Sequence, residues 1–337
     1  MNQKLAHYTG QSHNLQLMKF IAAIMVICSH AFPIVTGSMK VEPLYQLTKG
    51  QLSMGGFAVA VFFLSAGYFI AASVEKKKTV RSFFLARCIR IFPLLWIVVI
   101  LSILLGACVT TNTMSSYWTD RGTWLYLLNG LLFPVHNLPG VFEQAPYLPT
   151  VNGALWTLPV EFACYIVCFI IYKMNFLKEK WYFLYSIPVS MLAILILFVE
   201  EQYPFLMQVY RPCYLFHIGM GFWIYRDKIK LCSRLFWPAL LLFVLSLVCY
   251  EANIGMFILF PYLCMYLCFG EKQVSGKLDF LGNMSYGIYL CGFPIQQLLV
   301  EILYDRAGLW LQMLIACVVA CLVGFILMKI DNFLKTI

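Results

Sequence analysis

The sequence predicts an all-α integral membrane protein, a bundle of about ten transmembrane helices with both termini on the inner side. Three observations carry that expectation. Of the 337 residues, 62% are hydrophobic and 12% charged, with a mean hydropathy of +0.80, whereas soluble domains carry about 25% charged residues. The apolar residues gather in stretches of about 20, the length an α-helix needs to cross a hydrocarbon core. The 24 lysines and arginines are also distributed unevenly. Lys19 lies inside the first stretch, and only Lys40, Lys49, Arg121, Arg211 and Arg306 fall on connections assigned to the outside. The others, including Lys4 and the run Lys76, Lys77 and Lys78, collect on the inner side, as cytoplasmic segments do. Both termini are then inside, which requires an even number of spans.

In order, the spans are expected near 15–36, 55–74, 89–108, 153–173, 181–200, 211–226, 235–251, 254–270, 281–303 and 308–329. The sixth is short, and only a turn at Ala252 and Asn253 separates the seventh from the eighth, so nine or eleven remain open. The first stretch is long enough to span and lacks a small-residue cleavage site, so it is expected to stay in the membrane. No polar segment is long enough for a soluble domain, and residues 1–337 are read as a single membrane domain of a multi-pass cell-membrane protein. The bilayer accounts for the formal charge of +9, and nucleic acid is not an expected partner. The thirteen cysteines lie mostly in apolar spans without CxxC or His/Cys spacing, which indicates neither a metal site nor a disulfide framework.

One outer loop, about 110–152, is much longer than the rest. It contains the apolar piece Trp124 to Phe133, read as amphipathic or partly inserted, and Tyr117, Trp118, Asp120, Arg121, His136, Glu143 and Tyr147. Aromatic side chains with polar flanks suit a sugar face; an interfacial aromatic belt is the alternative.

Away from the span ends, four ionisable residues draw attention within predicted spans: Lys19, His30, Glu161 and His217. Buried charge is costly in a bilayer and points to a bundle interior or a wet cavity. Eleven residues bring Lys19 and His30 to nearly the same helix face, about 16 Å apart along the axis. Lys19 is also close enough to the helix start to snorkel to the interface. Glu161 and His30 lie at comparable depth on helices of opposite direction. If those helices are neighbours, the carboxylate accepts the imidazole N–H and the second nitrogen takes a proton from a hydroxyl. The alternative for Glu161 is an acid near a helix start after Pro159. For His217, beside glycines on a short span, a buried structural histidine is the better reading. Arg87 and Arg90, three apart at the mouth of the third helix, would present guanidinium forks to phosphates from the cytosol, or serve only to orient the helix. No Walker loop, GxSxG elbow or HExxH motif is present, and Ser65 has no local base.

Several stretches taken together resemble the membrane acyltransferase-3 family. A basic residue, ten others and a histidine match Lys19 to His30; the FF-x-x-S-G segment resembles VFFLSAGYFI; R-x-x-R-I-x-P matches Arg87, Arg90, Ile91 and Pro93; and W-S/T-L-x-V-E matches Trp156, Thr157, Leu158, Val160 and Glu161. An arginine-started, glycine-bearing helix is similar to Arg211 through Gly219 and Gly221. L-G-x-x-S-Y-x-I-Y-L matches Leu281, Gly282, Ser285, Tyr286, Ile288, Tyr289 and Leu290. Two departures stand out: Ala66 occupies the usual serine position, with Ser65 displaced by one, and Cys291, Gly292, Phe293 and Pro294 lack the histidine that often precedes the proline.

The resemblance implies a ten-helix bundle in which His30 serves acyl transfer, Glu161 supports it, and Arg87 and Arg90 bind acyl-CoA, with Lys19 near the donor entrance. Acceptor contacts are expected at Trp156, Arg121, Arg211, Tyr286 and Tyr289. The activity expected is O-acyl transfer, acetyl-CoA being the donor substrate and no cofactor being bound permanently. The acceptor would be a glycan or lipid-linked sugar of the cell envelope. Some relatives carry an appended hydrolase-like domain; here a handoff to one would need a separate protein. A transporter of a small molecule or glycan precursor on a related bundle is the alternative, and a non-catalytic envelope partner a third reading. The sequence sets no oligomeric state.

Overall fold

The computed structural model describes residues 3–5, 12–77, 79–200, 202–270, 272–303 and 306–336; Lys78 of the basic run lies outside them. Every expected apolar stretch is helical. The longer helices are α1 (His13–Thr36), α3 (Met54–Lys76), α4 (Val80–Val109), α7 (Thr157–Lys173), α8 (Glu179–Val199), α9 (Pro204–Ile224), α10 (Ser233–Val248), α13 (Asp279–Leu303) and α14 (Leu309–Leu334). Shorter ones are α2 (Pro43–Leu47), α5 (Met114–Thr119), α6 (Arg121–Leu125), α11 (Ala252–Ile258) and α12 (Phe260–Phe269). Two short strands, β1 (Gln3–Lys4) and β2 (Lys230–Leu231), pair antiparallel.

Among the described residues, seven helices are long and apolar enough to cross a membrane. The bent pair α11 and α12 makes an eighth when counted as one span. The expected continuous span 254–270 is therefore two helices meeting at 50°, broken where Pro261 opens α12 and cannot donate to the preceding turn. Two other expected spans fall short for different reasons. In α9, Gln208, Arg211 and His217 lower the hydropathy of a segment that is long enough. With 16 residues, α10 measures about 24 Å, against about 30 Å for a hydrocarbon core.

Backbone contacts divide the chain into two compact units, each assembled from segments distant in sequence. The first comprises Met1–Ala22, Leu44–Phe83 and Val160–Gly282. Its centre is the packing of α3 on α9. A Cβ on Gly67 would stand 2.0 Å from the Phe216 carbonyl oxygen, and one on Gly219 would stand 2.1 Å from that of Leu64. The two backbones touch, and only glycine fits at either crossing point. On the same helix, His217 stacks on Tyr182 with ring centroids 4.9 Å apart. The Tyr182 hydroxyl donates to the His217 carbonyl at 2.5 Å and accepts from Nδ1 at 2.9 Å, so this histidine is held as a structural group. At the start of α1, Ser12 Oγ accepts from the Leu15 N–H at 3.2 Å, and His13 pairs with Asp279 at 2.8 Å.

The second unit comprises Ala23–Pro43, Phe84–Pro159 and Asn283–Ile337. Here α13 meets α14 at a pair of glycines, a Cβ on Gly287 falling 3.2 Å from the Gly324 Cα. The long segment after α4 is built rather than loose. It forms α5, α6 and a 3-10 turn over Tyr126–Leu131. Within the piece expected to insert, Tyr126, Asn129 and Gly130 are buried in protein, while Leu131 and Phe133 are exposed. Tyr117, a candidate for the sugar face, is fully buried, and its hydroxyl donates to the Ile103 carbonyl at 2.8 Å. Burial, and after it the proximity of Cys108, pushes that phenol up to about 12. Its role is to dock α5 on α4.

Candidate active site

The geometry around His30 begins with a proline. Pro294 lies inside α13 and lacks the N–H that would have bonded the Leu290 carbonyl one turn back, which leaves an orphan acceptor in an apolar helix. Asn152 fills it: its side-chain N–H donates to the Leu290 carbonyl at 2.8 Å, while its side-chain oxygen accepts from the Ala154 N–H at 3.2 Å. Further ties fasten the same segment along α13. Gln297 donates to the Thr150 carbonyl at 2.7 Å and the Leu148 carbonyl at 3.0 Å. The Tyr289 hydroxyl donates to the Ala154 carbonyl at 2.7 Å and accepts from Thr157 at 2.5 Å. Residues 148–157 thus form a strap fixed by four side chains.

The strap and α13 together set the histidine. A Cβ on Gly153 would stand 2.8 Å from the Phe293 ring, so the strap lies directly on that ring. The ring in turn meets the His30 imidazole edge-on, with centroids 5.1 Å apart at 71°. Phe293 occupies the region where the resembling family often has a histidine; here it orients an imidazole by shape. The His30 Nδ1 is buried and has no hydrogen-bond partner among the described residues. A buried, unpaired ring nitrogen costs about 1–3 kcal/mol, a cost that a bound hydroxyl or amide can remove.

The other expected site residues are distributed over both units. In the second unit Arg87 is buried and Arg90 exposed. Both lie well inside α4, which starts at Val80 rather than near 89, because the polar and aromatic run from Val80 to Arg87 continues the helix ahead of its apolar part. Tyr286 donates to the Ile91 carbonyl at 2.9 Å beside the same stretch. Trp156 closes the 3-10 turn Gly153–Trp156 at the end of the strap, half-buried. Arg121 is exposed at the start of α6, which Asp120 caps by accepting from the Gly122 N–H at 2.6 Å.

In the first unit, Lys19 Nζ sits 5.8 Å from the centre of the Phe69 ring, a cation–π contact. Glu161 accepts a hydrogen bond from the Tyr165 hydroxyl one turn along α7. Arg211 is buried and donates to the Gln51 carbonyl at 2.8 Å and to the Asn253 side-chain oxygen. Asn253 donates onward to Glu200, so this arginine ties α9 to α11 and to the turn before α3. Ser65 donates to the Phe62 carbonyl of its own helix at 3.0 Å, the behaviour of a buried structural hydroxyl.

Attention to ionisable side chains alone misses the polar amides. Asn152, Gln296 and Gln297 surround this site, and the pair Gln296 and Gln297 interrupts an apolar run in α13. A search for any polar side chain within a span, charged or not, would have found them.

A multi-pass, all-α membrane protein with a histidine set against an aromatic ring that a strap holds in place, its Nδ1 without a partner among the described residues, is suited to group transfer. The sequence pattern of the acyltransferase-3 family, described as an acyltransferase domain, matches residues 12–329, and this chain belongs to that family. It is 26% identical over 330 residues to an O-acetyl transferase of Shigella phage Sf6, covering 91% of each protein. It is also 25% identical over 239 residues to Nodulation protein 10 of Rhizobium leguminosarum bv. viciae, covering 68% of this chain and 62% of that protein. No solved structure matches it.

Proposed function

We propose that this chain is a membrane O-acetyltransferase that moves an acetyl group from cytosolic acetyl-CoA to a hydroxyl of a cell-envelope glycan or lipid-linked sugar. The observation that carries the reading is the buried Nδ1 of His30, without a partner among the described residues, held beside Phe293 in a chain whose family match spans nearly its whole length. In this mechanism His30 accepts the proton of the attacking hydroxyl as its oxygen forms a bond to the thioester carbonyl carbon. The carbon–sulfur bond then breaks, and the imidazolium returns the proton to the departing CoA thiolate. Arg87 and Arg90 take the CoA phosphates; for Glu161 and Lys19, which belong to the other compact unit, the supporting and donor-entrance roles rest on the family resemblance alone. Trp156, Arg121, Arg211, Tyr286 and Tyr289 serve the acceptor side, Tyr289 through the strap it anchors. The comparisons do not favour transport of a small molecule, the alternative that hydropathy alone allows.

The test uses purified protein in detergent. Wild type is expected to bind acetyl-CoA, and His30→Ala to retain that binding and its melting temperature while losing acetyl transfer by at least about a hundredfold, the size of a general-base contribution. Transfer at the wild-type rate by His30→Ala would overturn the mechanism.

A further inference from the structure

Gln296 is 3% exposed, and its carboxamide donates to the Ile27 carbonyl at 2.8 Å. A carbonyl only accepts, so this bond fixes which end of the amide is NH2 and turns the amide oxygen away from Ile27. That oxygen is buried with no partner among the described residues. The contact lies beside the candidate base. Ile27 precedes His30 by one helical turn, a Cβ on Gly292 would stand 2.8 Å from the Ile27 side chain, and Phe293 meets the imidazole itself. On the residue before His30, the Ser29 hydroxyl is also buried and without a partner among the described residues. Three unsatisfied polar atoms, Ser29 Oγ, His30 Nδ1 and Gln296 Oε1, therefore occupy one turn of α1 and the turn of α13 that touches it.

We propose that Gln296 positions the acceptor: its amide oxygen receives an O–H from the hydroxyl adjacent to the one that is acylated. The inference rests on the reading that His30 deprotonates the attacking hydroxyl. An oxygen that can only accept needs a donor, and the thioester end of acetyl-CoA presents a carbonyl oxygen and a sulfur, both acceptors. Its nearest N–H is separated from the sulfur by two methylene groups. A sugar with vicinal hydroxyls places a second O–H directly beside the attacking one. Gln296 thereby selects which hydroxyl reaches His30, and an acceptor lacking the neighbouring O–H leaves the buried oxygen unpaired.

The experiment uses membranes from cells expressing the chain, radiolabelled acetyl-CoA, and those cells' envelope polysaccharide stripped of O-acetyl esters with mild base. Gln296→Met nearly conserves volume and removes the acceptor atom. It is expected to raise the polysaccharide KM roughly tenfold, the worth of one neutral hydrogen bond, with the acetyl-CoA KM and the amount of protein unchanged. Gln296→Glu, which restores an oxygen, is expected to recover most of that loss. An unchanged polysaccharide KM in Gln296→Met overturns the inference, and a raised acetyl-CoA KM overturns it by assigning the residue to the donor. If Gln296→Met fails to accumulate, the position acetylated by Gln296→Glu, read by NMR, decides: a redistribution among hydroxyls supports the inference and an unchanged position overturns it. Wild-type membranes that transfer no label to the polysaccharide overturn the acetyltransferase reading itself, a result distinct from normal transfer by Gln296→Met.

Discussion

Arg87 and Arg90 are three residues apart in one helix, yet the first is buried and the second exposed. Burial of a guanidinium is expensive unless its donors are satisfied, so Arg87 is integral to its surroundings, whereas Arg90 can be changed at little structural cost. Arg90→Ala is expected to weaken acetyl-CoA binding roughly threefold to tenfold, as for one exposed charge-assisted contact, with an unchanged melting temperature. Arg87→Ala is expected to lower both. Isothermal titration with acetyl-CoA and a thermal melt of each variant check this, and equal affinity in both would leave the pair with only an orienting role. The sequence showed a basic pair spaced by three but put it at a helix entrance, whereas both residues lie inside α4. Their unequal burial was not legible there, because it depends on which side of α4 is packed, and spacing by three cannot report that.

The strap shows what helices and their connections do for one another. Pro294 frees the Leu290 carbonyl, and Asn152 answers it from 138 residues away. Asn152→Ala leaves that carbonyl buried and unpaired and is expected to cost about 1–3 kcal/mol. Adding Pro294→Ala returns an N–H to the helix, so the double variant is expected to recover much of the loss. A melting-temperature cycle of the two single variants and the double variant measures the coupling, and additive losses would show that the contact carries no energy of its own. The helices of this region were readable from apolar runs of spanning length. The strap was not, because its order comes from long-range side-chain bonds to backbone carbonyls, which leave no periodicity in the sequence. The break between α11 and α12 falls in an apolar run of spanning length, and hydropathy alone does not register Pro261 within it.

At the scale of the molecule, ten apolar stretches fold as helices, and the basic residues are divided between the two sets of connections. With the termini inside, a fluorescent protein fused after Ile337 is expected to fluoresce in the cytosol, and alkaline phosphatase inserted at Glu143 to be active outside. The reverse pattern would invert the topology and put Arg87 and Arg90 on the wrong side for a cytosolic donor. Charge asymmetry in the sequence is the ground for this expected orientation. The division into two compact units was hidden, since each is assembled from three separate stretches of chain.

The bond between Asn152 and the Leu290 carbonyl also constrains how such a chain can change by descent. A lineage that acquires the proline first passes through a form with an orphan carbonyl buried in apolar surroundings. One that acquires the asparagine first does not, because an unbroken α13 satisfies its own backbone and the amide still caps the turn at Ala154. Asparagine is therefore the permissive first step. Once both are present the proline makes the asparagine hard to lose, and the two positions become a locked pair in the history of the protein.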